Sequence, residues 1–199
     1  MSLKLDYNIT QWDDYKVNYW GIPKCGNTSI KFMLMNKDKN LDYYNPNDWI
    51  HAEKEAKYID RKTALSNGYF NFTIMRNPYD RVLSMYKDFA IKRKGKIRIS
   101  TDSLFSFVND LTRFGDHKES EIHFRSQSYF IYEDYLLVDK IYHLEDTEYM
   151  VDNLSSICNY EFTLQKIHYT KEELNLNQDL KDIISFKYKK DFEIGGYGI

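Results

Sequence analysis

The sequence predicts an α/β fold: a single domain over residues 1–199, in which a central, mainly parallel sheet is flanked by helices in three layers. Two observations carry this expectation. Runs rich in β-branched and aromatic residues, such as VNYWGI (Val17 to Ile22) and YFNFTIM (Tyr69 to Met75), each pass through a short loop into a helical pattern. The chain is also long enough for one full core, and its 42% apolar and 17% aromatic content is too rich for disorder.

In chain order, Val17 to Ile22 reads as a buried strand, and Ser29 to Met35, with Ile30, Phe32, Met33 and Leu34, as the helix after it. LDYYNPNDW is turn-rich around Pro46, and HAEKEAKYIDRKTAL (His51 to Leu65) is a strong helix former with no Gly or Pro. Tyr69 to Met75 is a strand that stops at RNP, where Pro78 suits the first position of the helix YDRVLSMYKDFAIK. KRKGKIR (Lys92 to Arg98) reads as a solvated helix end and turn. DSLFSFVNDL is a short amphipathic helix capped by Thr101 or Asp102. FGDHKESEIHFRSQ is polar and irregular. VDKIYHLED (Val138 to Asp146) supplies another strand, leading into the helix TEYMVDNLSSIC. Repeats and low-complexity segments are absent.

Composition narrows the function. A net charge of −2 gives no global attraction for nucleic acid, so any anion site must be built locally. No apolar run approaches the roughly 20 residues of a membrane span, and MSLKLDYNIT has no apolar signal core. The two cysteines, Cys25 and Cys158, lie far apart, and glycosylation at Asn27 or Asn71 would fall in a loop or a buried strand. A reduced, cytoplasmic setting is expected, with no membrane partner.

The chemistry concentrates in NYWGIPKCGNTSIKF (Asn18 to Phe32). A strand that drops through Pro-Lys-Cys-Gly-Asn into two hydroxyls at a helix start is P-loop-like, because unsatisfied N–H groups and the helix dipole favour an anion there. The nucleotide motif Gly-x-x-x-x-Gly-Lys-Ser/Thr is absent, however, and Lys24 precedes the loop where that motif's lysine follows it. A second loop, RNPYDRVLSMY, offers Arg76, whose fork matches phosphate, and the hydroxyl of Ser84. Both loops follow strands and are expected to open on one edge of a parallel sheet.

Pro-Lys-x-Gly-x-Thr-Ser followed by Arg-Asn-Pro-x-x-Arg-x-x-Ser-x-Tyr resembles the paired signature of the sulfotransferases that use 3′-phosphoadenosine-5′-phosphosulfate (PAPS). HFRSQSYFI (His123 to Ile131) resembles the His-x-x-x-Gln segment of the carbohydrate sulfotransferases. YKKDFEIGGY (Tyr188 to Tyr197) is similar to their closing Tyr-x-x-Asp-Phe-x-x-Phe-Gly-Tyr, with Gly195 in place of the second Phe. The resemblance implies that Lys24, Cys25, Gly26, Asn27, Thr28 and Ser29 hold the 5′-phosphosulfate, that Arg76 and Ser84 hold the 3′-phosphate, and that no metal is needed. It implies sulfuryl transfer to an acceptor hydroxyl, that of a carbohydrate or other small molecule, with Lys24 neutralising the leaving oxygen. The base is expected at His51, with Glu55 one helical turn on to orient it; Glu53 and His123 are its rivals, and His143 and His117 weaker ones. Two other readings remain: a P-loop-like nucleotide or small-molecule kinase with magnesium on Glu145 or Asp146, and a protein that binds PAPS or its bisphosphate product, PAP, without turnover.

Overall fold

The computed structural model describes residues 8–35, 56–92, 99–164 and 176–199. In chain order they form β1 (Asn8–Trp12), β2 (Val17–Gly21), α1 (Asn27–Met35), β3 (Lys57–Ile59), α2 (Arg61–Ser66), β4 (Phe70–Met75) and α3 (Pro78–Lys87), which runs on into a π-helical turn, Asp88–Lys92. Then come α4 (Leu104–Leu111), α5 (Ser128–Ile131), β5 (Lys140–His143), α6 (Thr147–Cys158), α7 (Gln178–Lys187) and α8 (Lys189–Gly195). The chain divides into two compact units, Met1–Met75 with Ile131–Tyr169 and Arg76–Phe130 with Thr170–Ile199.

The whole sheet belongs to the first unit, in the order β3-β1-β2-β4-β5. β2 pairs β4 in parallel, Val17 opposite Phe70 and Trp20 opposite Thr73, and β4 pairs β5 in parallel. β1 is antiparallel to both its neighbours, β2 and β3. The sheet is therefore mixed: β2, β3, β4 and β5 run the same way, and β1 is the one reversed strand. The reason is local: the link Asp13 to Lys16 is far too short for a crossover, so β1 and β2 must form a hairpin.

One face of this sheet carries Val17 and Tyr19 of β2, Phe72 and Ile74 of β4 and Tyr142 of β5. Ile30, Met33 and Leu34 of α1 and Met150 and Leu154 of α6 pack on it. The other face of β2 and β4 is buried yet polar. Asn18 donates to the carbonyl of Ala64 in α2 at 3.1 Å and to Asn71 Oδ1 at 3.0 Å, and Trp20 Nε1 donates to the same oxygen at 2.9 Å. Thr73 Oγ1 donates to the Trp20 carbonyl at 2.6 Å. Each such group left unpaired would cost about 1–3 kcal/mol, so α2 is docked in one register rather than by apolar contact alone.

The second unit is helical. Val82 and Met85 of α3, Phe107, Val108 and Leu111 of α4, Leu180 and Ile184 of α7 and Phe192 of α8 close around Phe89, Phe124 and Tyr188.

Two element boundaries differ from expectation. The helix expected over His51 to Leu65 is not continuous: Lys57–Ile59 pairs with β1, and Asp60 then caps α2 by accepting the Thr63 N–H at 2.7 Å. Residues 51–55 lie outside the described residues. The cap of α4 is Ser103, whose hydroxyl accepts the Ser106 N–H at 3.0 Å, rather than Thr101 or Asp102. Among the described residues no helix is long and apolar enough to cross a membrane.

Candidate active site

β2 delivers the first loop. All five of its residues are buried, and it ends at Gly21, where an added Cβ would sit 2.9 Å from Asn8 Nδ2 and 3.2 Å from Asn27 Nδ2. Any larger residue there would have to displace the Asn8 side chain and press on the Asn8 carbonyl at 3.0 Å. The turn that follows is closed by the Cys25 N–H donating to the Ile22 carbonyl at 3.2 Å. It has Pro23 in its second position and Lys24, at φ 70°, in its third, the marks of a type II turn. Lysine thus occupies a place that glycine normally fills, a strain of the sort found at functional sites.

Gly26 follows at φ 80°, and its carbonyl accepts the first ladder bond of α1, from the Ile30 N–H at 3.1 Å. The N–H groups of Asn27, Thr28 and Ser29 therefore precede the ladder, at the positive end of a nine-residue helix. Tyr19 OH donates to Asn27 Oδ1 at 2.7 Å, and burial holds its phenol well above the usual range, so this donor stays protonated. Lys31, one turn into the helix and buried, donates to Asn8 Oδ1 and to Tyr58 OH at 2.9 Å each and so ties α1 to the sheet. The loop's residues divide by burial: the Cys25 side chain is in the core and Ser29 is buried, whereas Lys24, Gly26, Asn27 and Thr28 are half-buried.

β4 ends at Met75. Because β2 and β4 are parallel neighbours, their carboxyl ends, Gly21 and Met75, share one edge of the sheet.

The second loop belongs to the helical unit. Asn77 caps α3, its side chain accepting the Tyr79 N–H at 2.9 Å, and Pro78 takes the first helical position as expected. Arg76 and Ser84 are half-buried. Arg81, the second arginine of RNPYDR, is not a surface group. Its side chain is buried, with Nη2 donating to the carbonyls of His123 and Arg125 at 3.1 and 2.9 Å. Tyr188 OH donates to the intervening carbonyl of Phe124 at 3.0 Å. The buried carboxylate of Asp191 accepts the N–H groups of Gln127 and Ser128 at 2.8 Å each. Burial pushes its pKa up, against the opposing pull of Arg81 and of those N–H donors. Five main-chain groups between His123 and Ser128 are thus held, by Arg81 of α3, by Tyr188 at the junction of α7 and α8, and by Asp191 of α8.

His123 lies at the start of that segment. Its Nδ1 is 2.5 Å from Glu121 Oε1, and its ring meets the edge of Phe89 at 5.7 Å between centroids. A carboxylate on Nδ1 orients the ring and, in the neutral imidazole, places the lone pair on Nε2, the arrangement of a general base. Of the other candidates, His51 and Glu53, with Glu55, lie outside the described residues. His117 pairs with Ser120 Oγ through Nε2 at 3.0 Å, and His143 ends β5. Asp146, a candidate magnesium ligand, caps α6 by accepting the Tyr149 N–H at 3.3 Å. No group of three or more His, Cys, Asp or Glu among the described residues is placed to hold a metal ion.

Sequence reasoning overlooked Arg81, Glu121, Tyr188 and Asp191 as parts of this architecture. The signal for three of them was present, since Arg81, Tyr188 and Asp191 stand inside the quoted motifs.

A strand that runs into a lysine-bearing left-handed turn at a helix N-terminus defines an α/β protein suited to an anionic group. A model of the sulfotransferase family matches residues 7–197, and the chain belongs to that family, whose chemistry is sulfuryl transfer. No curated protein and no solved structure matches the chain.

Proposed function

We propose that the chain transfers a sulfuryl group from PAPS to a hydroxyl of a saccharide. The observation that carries this reading is the turn at Lys24 and Gly26, both left-handed, leading into the unladdered N–H groups of α1. In that assignment the N–H groups of Gly26, Asn27 and Thr28 and the hydroxyls of Thr28 and Ser29 take the 5′-phosphate, while Cys25 closes the turn from within. Lys24 stabilises negative charge on the bridging oxygen as the sulfur–oxygen bond to the bisphosphate breaks. Arg76 and Ser84 take the 3′-phosphate. The new bond joins sulfur to the acceptor oxygen, and the acceptor's proton goes to the base, assigned to His123 with Glu121 on its far nitrogen. His51 and Glu53 are the competing assignments.

A sulfuryl group carries less charge than a γ-phosphate, so positioning and these cations suffice without a metal. The saccharide acceptor rests on the likeness of His123 to Ile131 and of Tyr188 to Tyr197 to carbohydrate sulfotransferase segments. The test is calorimetry with EDTA present. PAP should bind much more tightly than AMP or ATP, because two separate loops are assigned to its two phosphates. Equal affinity for AMP would remove Arg76 and Ser84 from the site.

A further inference from the structure

β4 ends at Met75, and Arg76 is the first residue beyond it. Gln127 takes the strand's place. Its fully buried side chain accepts the Arg76 N–H on Oε1 at 2.9 Å and donates from Nε2 to the Arg76 carbonyl at 2.8 Å. This pair of hydrogen bonds to one residue is the pattern by which paired residues in a sheet hold each other, and it fixes the chain on both sides of the Arg76 Cα. An amide is required, because a glutamate offers two acceptors and no donor, and an asparagine is one methylene shorter. Gln127 is itself seated by Asp191, which takes its N–H, while Arg81 and Tyr188 hold the carbonyls of His123, Phe124 and Arg125.

We propose that Gln127, seated by Asp191, is the positioning residue that aims Arg76 and thereby sets selectivity for a 3′-phosphate. This rests on the donor assignment above. A guanidinium engages phosphate as a planar fork, and a fork whose backbone root can turn loses both bonds together. Gln127 touches no substrate in this role. It acts through Arg76, and Asp191 of the closing motif acts through Gln127.

The experiment measures the ratio of dissociation constants for AMP and PAP by calorimetry, in the wild type, Gln127→Met and Asp191→Asn, each well below its own melting temperature. The wild type should show a ratio of about 10 to 150, the range for charged hydrogen bonds. Gln127→Met should bring the ratio down to a few-fold while the AMP constant stays near the wild-type value, and Asp191→Asn should lower it part of the way. General loosening of the fold would weaken both nucleotides alike and leave the ratio intact. A wild-type ratio retained in Gln127→Met overturns the positioning role and leaves the donor assignment standing. A wild-type ratio near one overturns the donor assignment and this inference with it. If Gln127→Met does not fold, Asp191→Asn decides by the same ratio.

Discussion

Replacing Lys24 by alanine and, separately, by glycine distinguishes the two things that residue does. At φ 70° any residue with a Cβ is strained, and the left-handed conformation costs about 1–2 kcal/mol. Alanine keeps that strain and removes only the ammonium. Glycine removes both, but adds back about 0.5–1 kcal/mol of chain entropy lost on folding. Lys24→Gly should therefore be more stable than Lys24→Ala by about 0.5–1 kcal/mol, which for a chain of this size is a melting difference of roughly 1–4 °C. Both variants should lose about 100- to 1,000-fold in turnover, the usual effect of removing one stabiliser of developing charge. PAP affinity should fall far less, because charge on the bridging oxygen grows only as the bond breaks. The assays are thermal melting followed by circular dichroism and single-turnover transfer to an acceptor found by screening. If Lys24→Gly melts no higher than Lys24→Ala, the turn is not strained at Lys24. If either variant keeps wild-type turnover, the charge does no chemistry.

Gly21→Ala should destabilise by about 1–3 kcal/mol, since the new Cβ presses on Asn8 and Asn27, and should weaken PAP binding through Asn27; an unchanged melting curve would deny the close approach. Arg76→Ala should raise the PAPS KM more than it lowers kcat, a split that steady-state kinetics reads directly. His123→Ala should cut transfer by about 100- to 10,000-fold, and a loss confined instead to His51→Ala or Glu53→Gln would move the base there. The thiol of Cys158 is pushed up by burial to about 11, so at pH 8 its thiolate fraction is roughly a hundredfold below that of an ordinary cysteine; rapid titration by a disulfide reagent in the native state would contradict that burial.

The sequence showed the anion loop because its signals are local. Pro23 and Gly26 punctuate the end of β2, two hydroxyls open a helix, and Pro78 stands at the start of α3. β1 escaped notice because NITQW mixes polar and apolar residues without the aromatic density of β2, yet it lies inside the sheet, where Thr10 and Gln11 are buried. The short strand at Lys57–Ile59 was hidden by the helix propensity of the charged residues around it. Such propensity is a weak preference beside pairing with β1 and the Asp60 cap. Arg81, Gln127 and Asp191 lay in view as motif letters, but their roles depend on bonds between residues 42 to 64 positions apart, and nothing in a local pattern encodes such bonds.

Transfer of radiolabelled sulfate tests the central claim most directly. The purified chain is incubated with PAPS labelled in the sulfuryl group, EDTA and a panel of saccharides, beside Lys24→Ala as control. Label is expected in at least one saccharide with the wild type, with a loss of about 100- to 1,000-fold with Lys24→Ala. Tight binding of PAP with no label in any hydroxyl acceptor, saccharide or otherwise, would contradict it, and would make the chain a nucleotide-binding protein without turnover.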